Sequence, residues 1–134
     1  MNMKKEKSEK IAGYWKKTAQ HDYKTMMGLF KIKRYSDCLF FGHIVLEKIL
    51  KGLVAKNTSK EAPYIHDLVR LQELAKMQLD KDDLKFLKEV NNFNIRVRYP
   101  DYKLRFYKIC TKEFTEKRLK RIVKLYKKLC LKLK

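Results

Sequence analysis

Four glycines and two prolines among 134 residues are the tightest constraint on this chain. A many-stranded sheet needs glycine or proline at most of its turns, and six such residues cannot supply them. Lysine, leucine, glutamate and arginine are plentiful instead, and all four favour helix. The expected class is all-α. The length suits one domain spanning 1–134, and the 45% of apolar residues is enough to fill one core.

Hydrophobic periodicity divides the chain into helices. From about Ser8 to Phe30, Ile11, Trp15, Thr18, Ala19, Asp22, Tyr23, Met26 and Leu29 recur three or four apart. Lys31-Ile32-Lys33-Arg34 reads as a turn, after which a second helix starts near Tyr35 with Ser36 as a plausible N-cap. Its stripe of Leu39, Phe40, His43, Leu46, Glu47, Leu50, Leu53 and Val54 is widened by Phe41, Ile44 and Ile49. Such breadth predicts a central helix with neighbours on two sides.

A short third helix spans about His66 to Lys76, with His66 placed to cap it. Asp80 is a good N-cap for a fourth, whose inner side carries Leu84, Leu87, Val90, Asn91, Phe93 and Asn94. That helix must stop before Pro100, because proline disfavours helical geometry in the residue before it. Leu104 to Cys110 is ambiguous between an extended strand and a helical turn. Thr111 caps a last helix bearing Phe114, Leu119, Ile122, Leu125, Tyr126, Leu129 and Leu133. The predicted architecture is an antiparallel up-down bundle of four main helices and one short helix, preceded by a charged extension at residues 1–7.

The 34 Lys and Arg against 15 Asp and Glu give a formal charge of +19. Such a field attracts nucleic acid, nucleotide phosphates or an acidic partner. A lysine-biased composition spread along the chain explains it equally well. The last helix concentrates ten Lys and Arg between Lys112 and Lys134, either as a solvated face or as one that contacts RNA or a partner.

Cys38, Cys110 and Cys130 form no CxxC pair and lie in apolar stretches, where a reduced thiol packs as a small hydrophobe. The charged start, Met1-Asn2-Met3-Lys4-Lys5-Glu6-Lys7, leads into no apolar core and is not a signal peptide. No stretch of about 18 uncharged apolar residues exists. These features predict a cytoplasmic protein without a membrane span.

The HExxH and paired CxxC metal signatures, the GxGxxG and GxxxxGK phosphate loops and the GxSxG elbow are all absent. No metal or cofactor is expected. The densest polar group is Asn94-Ile95-Arg96-Val97-Arg98-Tyr99-Pro100-Asp101. Its arginines have the fork geometry that grips phosphate, and Tyr99 or Tyr102 is suited to stack on a base. Alternatively, Arg98 and Asp101 pair to lock the loop while Tyr99 packs over the bundle end. A second group is His43, Glu47, Lys48 and Lys51. His43 and Glu47 share a helix face, either for acid–base chemistry or as a satisfied polar contact in a bundle or dimer. Histidine 21 stands beside Asp22 without further support.

Taken in order, these residues resemble the HEPN family, the nucleotide-binding domain of higher eukaryotes and prokaryotes. The resemblance rests on Trp15, Ala19 and Asp22 in the first helix and on Tyr35, Phe40-Phe41, His43, Glu47-Lys48 and Lys51 in the second. It continues through His66-Asp67-Leu68 and, most specifically, Arg98-Tyr99-Pro100-Asp101. It runs from about Ser8 to Leu129. The resemblance implies a helical bundle that forms homodimers and works beside a minimal nucleotidyltransferase as a toxin–antitoxin pair. Its catalytic members are metal-independent ribonucleases that use an Arg followed, four to six residues later, by a His.

Here the chain departs from the family. No His follows Arg96 or Arg98, and Arg34 precedes His43 by nine positions. The ribonuclease motif is incomplete, so catalytic candidates reduce to Arg98 with His43 or His66 brought close in space. The expected site is instead a nucleotide or phosphate grip made by Arg96, Arg98, Tyr99 and Asp101. In it Arg98 forks onto phosphate, Arg96 assists and Asp101 orients the loop. A purely structural dimerisation module is the third reading.

Overall fold

The computed structural model describes residues 4–134 and contains six helices, with no strand among those residues. These are α1 (Lys5–Lys31), α2 (Tyr35–Thr58), α3 (Leu68–Leu74), α4 (Lys81–Arg98), α5 (Pro100–Ile109) and α6 (Lys112–Lys132). Helix α1 begins at Lys5, so Lys5, Glu6 and Lys7 of the expected extension form its first turn. Residues 1–3 lie outside the described part.

Side-chain caps fix three of the starts. Asp80 accepts from the Asp83 amide at 2.8 Å and Thr111 from the Phe114 amide at 3.2 Å, as their positions predict. The other two expected caps are corrected. Asp67, not His66, caps α3 by accepting from the amides of Val69 and Arg70. A carboxylate one residue nearer the helix is the better acceptor for its free N–H groups. Ser36 caps nothing, because α2 starts at Tyr35 and Ser36 is buried inside its first turn. Arg34 and Asp37 bridge that start with an ion pair at 2.9 Å.

The ambiguous segment is a helix, so the bundle carries two short helices rather than one. Tyr99 is extended, with φ −105° and ψ 123°, as the residue before a proline should be. Pro100 then occupies the first position of α5, where its missing N–H costs nothing. Only Phe106 of α5 is buried in the core.

The four long helices alternate in direction. Ser8 of α1 donates to the Ala55 carbonyl of α2 at 3.0 Å, and the α1–α2 hairpin turns at Lys33 with φ 65°. Tyr23 of α1 stacks on Tyr126 of α6 with centroids 4.6 Å apart. Arg118 and Lys128 of α6 bridge to Glu89 and Asp83 of α4, which fixes these two as antiparallel. Helices α2 and α6 run the same way, with Gly42 facing Ile122 and Gly52 facing Leu133. They pack closely, and Gly42 leaves room for Ile122. Helix α2 is the central element that its broad stripe predicts, with residues from Val45 to Ala55 lining the core. All six helices contribute to that one core. No described helix is long and apolar enough to cross a membrane.

Candidate functional site

Packing of α3 against α2 and α4 assembles a polar cluster that no single helix contains. Asn91 of α4 accepts from the Leu68 amide at 2.9 Å and donates to Asp67 at 3.0 Å. This fixes the start of α3 beside α2. His43 Nε2 then donates to the His66 carbonyl at 2.8 Å, and the imidazole of His66 is placed over Glu47. His66 Nδ1 and Glu47 Oε1 are 2.8 Å apart, while Lys51 Nζ donates to Glu47 Oε2 at 3.2 Å. The Lys51 ammonium also lies 5.5 Å from the Trp15 ring centroid.

The polar face expected on α2 is thereby divided. His43, Glu47 and Lys51 belong to the cluster, but Lys48 turns to α1 and pairs with Asp22. His43 sits 3.8 Å from Glu47 at its Nδ1, too far for a good hydrogen bond. It is only 1% exposed. Burial lowers its pKa below 6.5, against the opposing pull of Glu47 and of the His66 carbonyl. His66 is the solvent-facing imidazole, with its side chain 55% exposed.

His66 opens onto a hollow of about 290 Å³ shared with Asp67, Asn91, Asn94 and Ile95. Asn94 connects this hollow to the arginine loop, since its buried amide oxygen accepts from Arg98 Nε at 2.6 Å. Asn94 and Arg98 are one helical turn apart, so this contact was available to sequence reasoning. The remaining guanidinium nitrogens of Arg98 meet no carboxylate among the described residues. Asp101 is exposed in the first turn of α5 and makes no ion pair there. The alternative of an Arg98–Asp101 lock is therefore overturned. Tyr99 is 56% exposed rather than packed over the bundle end.

Arg96 points away from Arg98, toward α5, with its guanidinium carbon 5.7 Å from the Phe106 centroid. Together with Asn92, Tyr102 and Arg105 it borders a second cleft of about 400 Å³. No sequence pattern marks Asn92 and Arg105, because only the α4–α5 corner brings them together. Burial pushes the Cys38 and Cys110 thiols up to about 12, as befits side chains packed in the core. No group of three or more His, Cys, Asp or Glu side chains suited to a metal ion occurs among the described residues.

A helical bundle with this loop and cluster is the setting in which the family comparison falls. The HEPN domain model matches residues 12–133, nearly the whole chain. The protein belongs to the HEPN family, which makes it a nucleotide- or RNA-related module at the level of the family. No curated protein and no solved structure matches significantly.

Proposed function

We propose that the chain binds a nucleotide or RNA phosphate at the Arg96–Asp101 corner and carries out no complete ribonuclease reaction of the usual family type. The observation that carries this reading is the state of Arg98. Its Nε is committed to Asn94, which aims the guanidinium, while its outer nitrogens have no carboxylate among the described residues. A guanidinium held in this way offers a bidentate fork to phosphate oxygens. Tyr99 stands exposed beside it, and the formal charge of +19 draws polyanions toward the surface. The module works as a homodimer and beside a minimal nucleotidyltransferase in a two-component, toxin–antitoxin-like system. Membership of a family whose domains often dimerise and bind nucleotides supports this reading.

The test is fluorescence anisotropy of a labelled adenine nucleotide and a short labelled RNA, with wild type and Arg98→Ala. Binding is expected to weaken roughly tenfold or more between about 50 and 300 mM salt, and to be lost in a folded Arg98→Ala variant. Equal binding by both proteins, or none by either, would leave the loop a structural element of a dimer or heteromer.

A second reading, metal-independent endoribonuclease activity, is favoured by one observation. His66 opens onto the hollow whose wall residue Asn94 holds Arg98, and Glu47 backs its ring. Of the two histidines considered with Arg98, His43 is sealed in the interior, so His66 is the base in this reading. It would take the proton of a ribose 2′-hydroxyl as that oxygen attacks phosphorus and the P–O5′ bond breaks, the departing 5′-oxygen taking a proton from solvent. RNA cleavage in EDTA that disappears in His66→Ala, with binding retained, would establish it.

A further inference from the structure

Two concave surfaces flank the end of α4, and they share one wall. The hollow at His66 and Asn94 lies on one side, the cleft formed with α5 lies on the other, and Ile95 lines both. Ile95 is thus a ridge between them, and it is half exposed. Beyond the ridge the chemistry of the α5 cleft is mixed in a particular way. Ile109 gives it an apolar side that is partly open to solvent, while Phe106 lies closed in the core beneath the Arg96 guanidinium. Tyr102 stands at the wall with half of its surface open to solvent. Arg96 and Arg105 bring two guanidinium groups to the same cleft, and no carboxylate lines it or pairs with either among the described residues. Asn92 adds an amide with both a donor and an acceptor.

We propose that the α5 cleft takes one unpaired nucleotide of a single RNA strand whose neighbouring phosphate lies on Arg98, with the strand crossing the Ile95 ridge. This inference rests on the phosphate-binding reading of Arg98 and extends it by a second subsite. The base lies against the Tyr102 ring beside Ile109, an arrangement that accepts any base because every base has a π-face. Asn92 meets the base edge, and Arg105 meets the phosphate on the far side. A duplex cannot use the cleft, since its bases are stacked and paired and only their edges are available. Ligand length and strandedness, rather than base identity, become the quantities the site discriminates.

The experiment measures binding of adenosine monophosphate, the dinucleotide ApA, an eight-nucleotide oligoadenylate and a duplex RNA of the same length. It uses the full chain as wild type, Arg98→Ala, Tyr102→Ala, Tyr102→Phe and Arg105→Ala. Tyr102 and Arg105 are solvent-facing, so their replacement spares the core, and a thermal melt checks this. In wild type ApA is expected to bind at least about tenfold more tightly than the mononucleotide, and the single strand better than the duplex. That ratio should fall to about twofold or less in Tyr102→Ala and Arg105→Ala, and recover in Tyr102→Phe, which keeps the ring. A strand that needs Arg98 but binds Tyr102→Ala and Arg105→Ala as it binds wild type would overturn the second subsite alone. Duplex binding equal to single-strand binding would overturn it as well. Failure of wild type to bind any of the four ligands would overturn both the subsite and the reading beneath it.

Discussion

The Nδ1 atom of His66 lies 2.8 Å from Oε1 of Glu47, and the other oxygen of the same carboxylate receives the ammonium of Lys51 at 3.2 Å. Glu47 therefore joins the loop before α3 to the middle of α2. Its side chain and that of Lys51 are both largely withdrawn from solvent. Replacing the carboxylate by an amide leaves the Lys51 charge buried without an anion, and a buried charge that loses its partner is costly. Glu47→Gln is expected to lower unfolding free energy by about 3 kcal/mol, read by urea denaturation. Lys51→Met should cost markedly less, because Glu47 keeps His66 and the apolar stem still covers Trp15. Equal losses in the two variants would show that the carboxylate is not the hub.

His43 gives this region a defined response to acid. Its folded-state pKa lies below 6.5, chiefly because burial disfavours the charged ring, whereas in the unfolded chain it titrates near the ordinary value. Between those two values the unfolded state holds more protons than the folded state. Stability from this group is thus complete above about pH 6.5 and declines as pH falls toward the lowered folded value. Glu47, His66 and Asn91 are the polar groups that face it. In His43→Gln the amide retains a donor for the His66 carbonyl but no longer titrates. Unfolding free energy followed from pH 8 to 5 should fall less steeply in this variant than in wild type. Parallel curves would mean that His43 contributes nothing to the acid limb.

The difference between what was and was not legible in the sequence follows the range of the interactions. The long helices were readable because a 3.6-residue period and the caps at Asp80 and Thr111 are local signals. Helix α5 was not, because only Phe106 faces inward while Leu104, Tyr107 and Ile109 remain exposed, so no apolar stripe marks it. The Arg98 loop was readable as a string, and the Asn94 contact spans one turn. The His66–Glu47 contact joins residues 19 apart across two elements, and no spacing rule predicts it. His66 also stands near the start of α3, and only the geometry there shows that the neighbouring Asp67 takes the cap. The α5 cleft was invisible for the same reason as α5 itself.

Helix α1 offers a simple gain in stability. Gly13 and Gly28 both lie inside it, neither has positive φ, and a methyl group at either position meets nothing within 4 Å. Alanine at such sites restricts the unfolded chain and gains helix propensity without a clash. Gly13→Ala and Gly28→Ala should each raise unfolding free energy by about 0.5–1 kcal/mol, and their effects should add because the sites are far apart along the helix. A loss in either variant, with the chain otherwise helical, would point to a contact made at that face in an assembly.

Gly42 is the opposite case, and it tests the contact between α2 and α6. A methyl group there would stand 2.5 Å from Cδ1 of Ile122, an atom at the end of a fully buried side chain in α6. The gain in helix propensity, about 1 kcal/mol, opposes an overpacking cost of about 1–3 kcal/mol. The clash should win narrowly, so Gly42→Ala is expected to destabilise by about 1 kcal/mol. Ile122→Val removes the offending atom, and in the wild-type background it should cost about 1 kcal/mol through lost packing. Combined, the two changes are complementary, since the added methyl group fills part of the space that Cδ1 vacates. The double variant should be close to wild type, a coupling of about 2 kcal/mol in a double-mutant cycle by urea denaturation. Simple additivity would place α2 and α6 further apart at this level than the close approach of Gly42 and Ile122 requires.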